Sequence, residues 1–251
     1  RGGQYNTIDY LEDHLDVNLR DNAEGHANVI ISCKMRNIHL TVLGTGCIYN
    51  SPYDEQGQPT HAFTEFEKPN FAGSAYSAVC AARNRLMCHP ELVSGILNLR
   101  IRMPITKEPS PYDFLTKIVN YSRIHSVENA MSVLDTLIPH IPTLMARQIT
   151  GPLNFTNPGT MSHGRILSLY KAKVDPDHKW EEVKELGDLV KAPRSNNALN
   201  TDRLLQLCPQ VPTLEQALRQ VVLYRSCKLA SSGGSQSIYD HLAEECGGIF
   251  A

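Results

Sequence analysis

The chain has 251 residues, 41% hydrophobic and 20% charged, with a formal net charge of -2 and a pI near 6.6. This is the balance of an ordinary globular protein with one sizeable core or two small ones, and it gives no electrostatic case for nucleic acid or an anionic membrane. No apolar run approaches the ~20 residues of a membrane-spanning helix, and seven cysteines without a C-x-x-C pair argue against a disulfide framework or zinc site and for a reducing intracellular compartment.

In chain order, Val17 to Arg36 carries a roughly helical apolar stripe, at Val17, Ala23, Ala27, Ile30, Ile31 and Met35. The β-rich run His39 to Gly44 follows and reads as a buried strand. Residues 51–70, with Pro52, Gly57, Pro59 and Pro69, read as a loop. Gly73 to Leu86 has helical composition, and Ile96 to Arg102 is a strand stopped by Pro104. A helix over Tyr112 to Tyr121 begins just after Pro111, where a fixed φ is tolerated. Met131 to Leu134 reads as a short strand, Asp135 to Gln148 as a helix interrupted by Pro139 and Pro142, and Leu153 to Phe155 as a brief strand. Helices are expected over 162–170, 179–185, 202–207 and 213–226, and Thr213 with Gln216 has the spacing of a capping box. Ser231 to Ser235 reads as a flexible linker before a short appended segment.

Strands alternating with helices imply an α/β fold with a parallel sheet. The expected organisation is a Rossmann-like core over 1–150 and a small, mostly helical substrate-type region over 151–227, interleaved with the core. A linker and tail are expected over 228–251. The ten histidines show no metal spacing such as H-E-x-x-H, and no metal is expected.

Seven motifs then stand out: G-T-G-C-I-Y at Gly44 to Tyr49, P-N-F-A-G-S-A-Y-S at Pro69 to Ser77, L-R-I-R-M-P-I at Leu99 to Ile105, F-L-T-K-I at Phe114 to Ile118, N-F-T-N-P-G at Asn154 to Gly159, S-H-G-R-I-L at Ser162 to Leu167 and A-P-R-S-N-N at Ala192 to Asn197. Together, and in this order, they resemble the rhamnose-forming members of the extended short-chain dehydrogenase/reductases, dTDP-4-dehydrorhamnose reductase and above all the bifunctional nucleotide-rhamnose 3,5-epimerase/4-reductases. The resemblance covers roughly Asn6 to Leu223. It implies that Thr45 and Tyr76 meet the substrate carbonyl, that Cys47 and Lys117 serve epimerisation, that Arg102, Met103 and Pro104 line the nicotinamide side, and that Arg194 faces the sugar nucleotide. A thiol and an amine suit the epimerisation, because removing a proton next to a ketone needs a base on one face and an acid on the other.

Two departures shape the functional expectation. The family places a lysine four residues after the tyrosine, where its ammonium lowers the phenol below the unperturbed ~10 and holds the nicotinamide ribose; here that residue is Cys80, which brings no charge. Arg83 lies two turns beyond Tyr76 rather than one and is not expected to substitute. The family's opening strand, G-x-x-G-x-x-G turn and helix, the usual cradle for a dinucleotide pyrophosphate, also have no counterpart, Arg1 aligning just after the fourth of seven strands. The expectation is therefore a partial Rossmann-like sheet whose strand His39–Gly44 has an open edge, covered by an unrecorded N-terminal stretch or by other protein chains.

The expected function is that of a catalytically degenerate relative acting as an accessory subunit of a larger assembly. It would bind no cofactor and keep at most a vestigial nucleotide-sugar pocket. The alternative is an active 3,5-epimerase/4-reductase on a 4-keto-6-deoxy nucleotide sugar using NADP(H).

Overall fold

The computed structural model describes residues 7–232. At its centre lies a three-stranded parallel sheet of β1 (Leu40–Thr45), β2 (Ile96–Ile101) and β3 (Gly151–Asn154), in the order β1-β2-β3. Leu40 pairs with Ile96 at one end of the β1–β2 ladder and Thr45 with Ile101 at the other, while Leu97 to Arg100 of β2 pair with Gly151 to Asn154 of β3. Parallel neighbours require crossovers, and both are helical. The I-L-N-L-R-I of β2 is buried on both faces, as a central parallel strand must be. Among the described residues β1 has this single neighbour, and its Leu43 is 55% exposed.

The two faces of β2 differ in chemistry. Leu97 and Leu99 join Leu144, Leu153, Phe155 and Leu204 in an apolar cluster under the sheet. Asn98 and Arg100 face the other way, where the Asn84 side-chain oxygen accepts from Asn98 Nδ2 at 3.3 Å and from Arg100 Nε at 3.1 Å. Asn84 belongs to a helix that we label α4 (Ala75–Met87). Gly44 of β1 is required by this arrangement, since a Cβ there would lie 2.1 Å from Asn98 Oδ1.

Ahead of β1 the chain forms α1 (Ile8–Asp13), α2 (Leu15–Leu19), a π-helical turn over Arg20–Glu24 and α3 (Gly25–Met35), in place of the one continuous helix expected from Val17. Two buried asparagines, Asn18 and Asn22, sit at the junction and bond to each other at 3.1 Å. A hydrophobic stripe cannot reveal this widening, because the turn is set by polar groups that pack against α4.

Past β2 come α5 (Phe114–Ile118), α6 (His163–Lys173) and α7 (Leu214–Ser232). Ile166 and Leu167 of α6 pack with Leu218, Val221 and Val222 of α7, and with Ile105, Leu115 and Ile124, in a second core drawn from both sides of residue 150. The capping box is present: Gln216 N donates to Thr213 Oγ1 at 3.3 Å, and Thr213 N to Gln216 Oε1 at 3.0 Å. Helix α7 runs through Ser232, so residues 228–232 are helical rather than linker; the remaining expected linker and tail lie outside the described residues.

The expected helix over 179–185 is not formed. Glu181 to Val183 are a strand paired in parallel with Arg123 to His125. The Lys and Glu of this stretch favour helix only weakly, and tertiary pairing overrides that preference. Gly164 at the start of α6 makes room for it, as a Cβ there would lie 2.1 Å from Glu182 Oε1.

One buried ion pair closes the second core. Asp113 accepts from Thr116 N at 2.6 Å as the cap of α5 and from Thr106 N at 2.8 Å, and it meets Arg225 Nη2 of α7 at 2.6 Å. Both side chains are almost fully buried, so removing one strands the other's charge. Asp113→Ala is expected to lower the unfolding free energy by about 3–5 kcal/mol, read as a lower urea midpoint; a loss under ~1 kcal/mol would show the pair to be incidental.

Candidate active site

The C-terminal end of β1 delivers Thr45, whose Oγ1 accepts from Cys47 N at 3.0 Å and so bends the chain sharply after the strand. Gly46 permits the bend: a Cβ would lie 2.8 Å from Leu199 and 2.9 Å from Arg102. Tyr76 is the second residue of α4, whose N-cap Ser74 accepts from Ser77 N at 3.1 Å. Glu12 of α1 accepts from the Ala75 amide at 2.7 Å, so α1 is tied to the same helix start. Tyr76 is 5% exposed and Cys80 1%, the latter packed in the apolar cluster with Leu11 and Ala81.

Arg102 follows β2 and is buried. All five of its guanidinium N–H groups are directed at neutral oxygens: Nε to Ala130 O at 3.3 Å, Nη1 to Gly46 O at 3.4 Å and Ser195 Oγ at 2.8 Å, and Nη2 to Asn129 Oδ1 at 2.8 Å and Ser195 O at 3.0 Å. Asn197 adds bonds from its Nδ2 to Gly46 O at 3.0 Å and Tyr49 O at 2.8 Å. The A-P-R-S-N-N segment therefore fastens the turn after β1. Burial pushes the Arg102 pKa down, with Cys47 opposing. Its neighbour Met103 takes a left-handed φ of 38°, a conformation uncommon for a residue with a Cβ.

These residues open onto one cavity of about 1070 Å³, at the upper end of the ~300–1,000 Å³ usual for small-molecule sites. Thr45, Cys47, Tyr76, Arg102, Met103, Pro104, Lys117 and Arg194 all line it, so every candidate site residue named from the sequence converges there; Cys80 is not among the lining residues. Arg194 arrives already engaged, its Nη2 meeting both carboxylate oxygens of Asp9 at 2.8 Å and its Nη1 bonded to Ala192 O at 3.0 Å. It ties the 191–197 segment to α1, and its charge is balanced within the protein.

Sequence reasoning missed several lining residues, Asn22, His26, His125 and His163, and weighed Arg83 only to set it aside. Only His163 had a signal, its place in S-H-G-R-I-L. Burial pushes the His163 imidazole down to about 4, helped by His125 and Arg102, and its Nε2 is buried with no hydrogen-bond partner among the described residues. Burial likewise raises the Tyr53 phenol to about 12. Among the described residues no cluster of three or more His, Cys, Asp or Glu could hold a metal, and no helix is long and apolar enough to cross a membrane.

No family model matches the chain. It is 47% identical over 229 residues to protein L780 of Acanthamoeba polyphaga mimivirus, covering 88% of this chain and 77% of that one. The crystal structure of the L780 UDP-rhamnose synthase superposes with a TM-score of 0.82 at 45% identity, covering 90% and 78%. The bifunctional dTDP-4-dehydrorhamnose 3,5-epimerase/dTDP-4-dehydrorhamnose reductase of Arabidopsis thaliana is 34% identical over 221 residues, 86% of this chain and 71% of the relative. A dTDP-4-dehydrorhamnose reductase from Bacillus anthracis in complex with NADP shares the fold, with a TM-score of 0.69, 18% identity and coverage of 86% and 75%. These relatives are enzymes, and the similarity to two of them is close. The expectation of a non-catalytic accessory subunit is thereby overturned.

The depressed imidazole of His163 gives the site a pH signature. An unfolded histidine titrates near 6.5 and the folded one near 4, so below pH 6.5 the unfolded chain binds the extra proton. The stabilisation is complete above pH 6.5 and is lost as pH falls toward 4. His163→Gln is expected to remove roughly 3 kcal/mol of the stability lost over that window, measured by urea unfolding at pH 7, 5.5 and 4.5; an unchanged pH slope would contradict the assignment.

Proposed function

The chain belongs to the family of nucleotide-rhamnose 3,5-epimerase/4-reductases, and we propose that it is an active member, epimerising a 4-keto-6-deoxy nucleotide sugar at C3 and C5 and reducing its C4 carbonyl. The observation that carries this reading is the convergence of Thr45, Cys47, Tyr76 and Lys117 on one cavity from three separate stretches of chain.

In this reading Thr45, fixed by its turn, and Tyr76, fixed by the capped start of α4, hold the sugar's C4 oxygen. Polarising that carbonyl acidifies the hydrogens on its flanking carbons. Cys47 and Lys117 act as the acid and base that take a proton from one face and return one to the other. Tyr76 then gives its phenolic proton to the C4 oxygen as the carbonyl is reduced. The charge on Arg102 favours the partial negative charge that gathers on that oxygen, an electrostatic contribution that needs no hydrogen bond from the guanidinium.

The expectation that no cofactor binds finds no support, since the Bacillus anthracis reductase of this fold is a complex with NADP. The residues present suit a nicotinamide: the cavity is large for a single small ligand, and the buried Arg102 has only neutral partners, a setting for an anionic cofactor. The Arg102–Pro104 turn and Thr45 would border the ring. When bound, a reduced nicotinamide would supply hydride to C4.

The test supplies the protein with UDP-4-keto-6-deoxyglucose in D₂O. Deuterium is expected at C3 and C5 without cofactor, and NADPH is expected to be oxidised with formation of the rhamnose nucleotide. Cys47→Ala should abolish exchange while leaving the fold intact, and Tyr76→Phe should slow reduction by ~10²–10⁴-fold. Neither deuterium uptake nor NADPH oxidation by the wild-type protein would defeat the reading.

A further inference from the structure

The cavity is far more positive than the chain as a whole. The protein's formal net charge is -2, yet among the described residues that line the cavity the cations are Arg83, Arg102, Lys117, Arg123 and Arg194, and Asp9 is the one carboxylate. Asp9 is already matched by Arg194, and Arg102 directs its N–H groups at neutral oxygens. A lining of this kind is unfavourable around water alone and becomes favourable around a polyanion.

Arg83 has donors left over. It is 5% exposed. Its Nη1 donates to the backbone carbonyl of Asn22, in the π turn, at 3.1 Å and lies 3.2 Å from His26 Nε2. Burial, with Arg83 itself, pushes the His26 imidazole down, which keeps it neutral and able to accept from Nη1. The Arg83 Nε is buried with no hydrogen-bond partner among the described residues, and Nη2 makes no hydrogen bond among them either. No carboxylate lies within ion-pair distance of the group among the described residues. A buried guanidinium with unmade donors and no acid is costly to maintain. Nε–H and one Nη2–H lie along a single edge of the guanidinium plane, the side-on fork that receives two oxygens of one phosphoryl or carboxylate group. Asn22 and His26, which hold Nη1, line the same cavity, so the plane is anchored while that edge stays open.

We propose that Arg83, anchored by Asn22 and His26, is the anion-binding residue of a subsite in the cavity wall and takes a phosphoryl group of a nucleotide ligand. The identity of the ligand rests on the function proposed above; the affinity for an anion does not. Neither a 4-keto-6-deoxy nucleotide sugar nor NADP(H) carries a carboxylate, so the phosphoryl group is the partner that suits the fork. Two sources can bring it, the diphosphate of the nucleotide sugar and the phosphates of the dinucleotide. Both are polyanions, as the cationic lining requires. The anchoring matters because a donor already fixed by the protein loses little freedom when the ligand arrives.

The experiment measures, by calorimetry on the full chain, the Kd of UDP, NADP⁺ and uncharged uridine for wild type, Arg83→Gln and Arg83→Lys at low and high salt. Arg83→Gln is expected to weaken UDP, NADP⁺ or both by ~10–100-fold and to flatten the salt dependence of that affinity, with uridine unchanged. Arg83→Lys, which keeps the charge but not the fork, should fall between the two. A loss confined to UDP assigns the subsite to the sugar-nucleotide diphosphate, a loss confined to NADP⁺ assigns it to the dinucleotide, and a loss of both with mutual competition assigns it to a position they share. A second measurement does not depend on Arg83→Gln folding: in protein labelled with [¹⁵N]arginine, the Arg83 Nε–H resonance, assigned by its loss in Arg83→Lys, should shift on adding UDP or NADP⁺ and stay in place with uridine. Failure of the wild type to bind either phosphorylated probe, affinities unaltered by Arg83→Gln, equal losses that include uridine, or an unmoved resonance overturns the inference. Should UDP or NADP⁺ bind through Arg83 while the keto-sugar is not turned over, the reductase reading falls and the subsite stands; turnover with affinities indifferent to Arg83 does the reverse.

Discussion

The candidate site depends on the five bonds that hold the Arg102 guanidinium. They join three separate stretches: Gly46 after β1, the Asn129–Ala130 segment and Ser195. Arg102 itself follows β2, so one side chain fixes the end of the sheet against two connections, to which Asn197 adds its own bonds. A planar fork with five donors can do this where a lysine, with three donors on a compact head, cannot. The requirement for glycine at position 46 follows from it, because the arginine stem occupies the space that a Cβ would need.

That arrangement leaves the arginine's charge without an acid partner among the described residues. Arg83, which lines the same cavity, likewise meets no carboxylate among the described residues, whereas Arg194 is matched by Asp9. Burying cations without acids costs stability, and the cost is offset where the cavity receives anionic ligands or stabilises developing negative charge. Thr45 and Tyr76 line the same cavity as both arginines. Sheet and loop fastenings therefore bring Thr45, Tyr76 and two buried cations to one cavity.

Much of the fold was legible in local sequence. The β-rich runs ending in Gly44 and in Arg102 became β1 and β2, the expected helix over Gly73 to Leu86 became α4 (Ala75–Met87), and Thr213 with Gln216 formed the expected cap, because periodicity and capping act within a few residues. The failures are equally specific. Residues 181–183 became a strand through pairing with residues 123–125, about sixty positions away. The run from Val17 was divided by a π turn whose polar residues pack on α4, and Lys228 to Ser232 extended a helix where composition suggested a linker.

The motifs by themselves pointed to residues that line the cavity, since Thr45, Cys47, Tyr76, Arg102 and Lys117 each lie in a short, recognisable run. They did not determine what those residues do together. The substitution at position 80 pointed toward lost activity, an expectation that the similarity to rhamnose-forming enzymes overturned. Only the tertiary structure decided that Arg83 faces the cavity that Tyr76 lines and is held by Asn22, and that Arg194 is balanced by Asp9. Such placements are fixed by side-chain direction and by partners distant in sequence, and neither is written in the order of the residues.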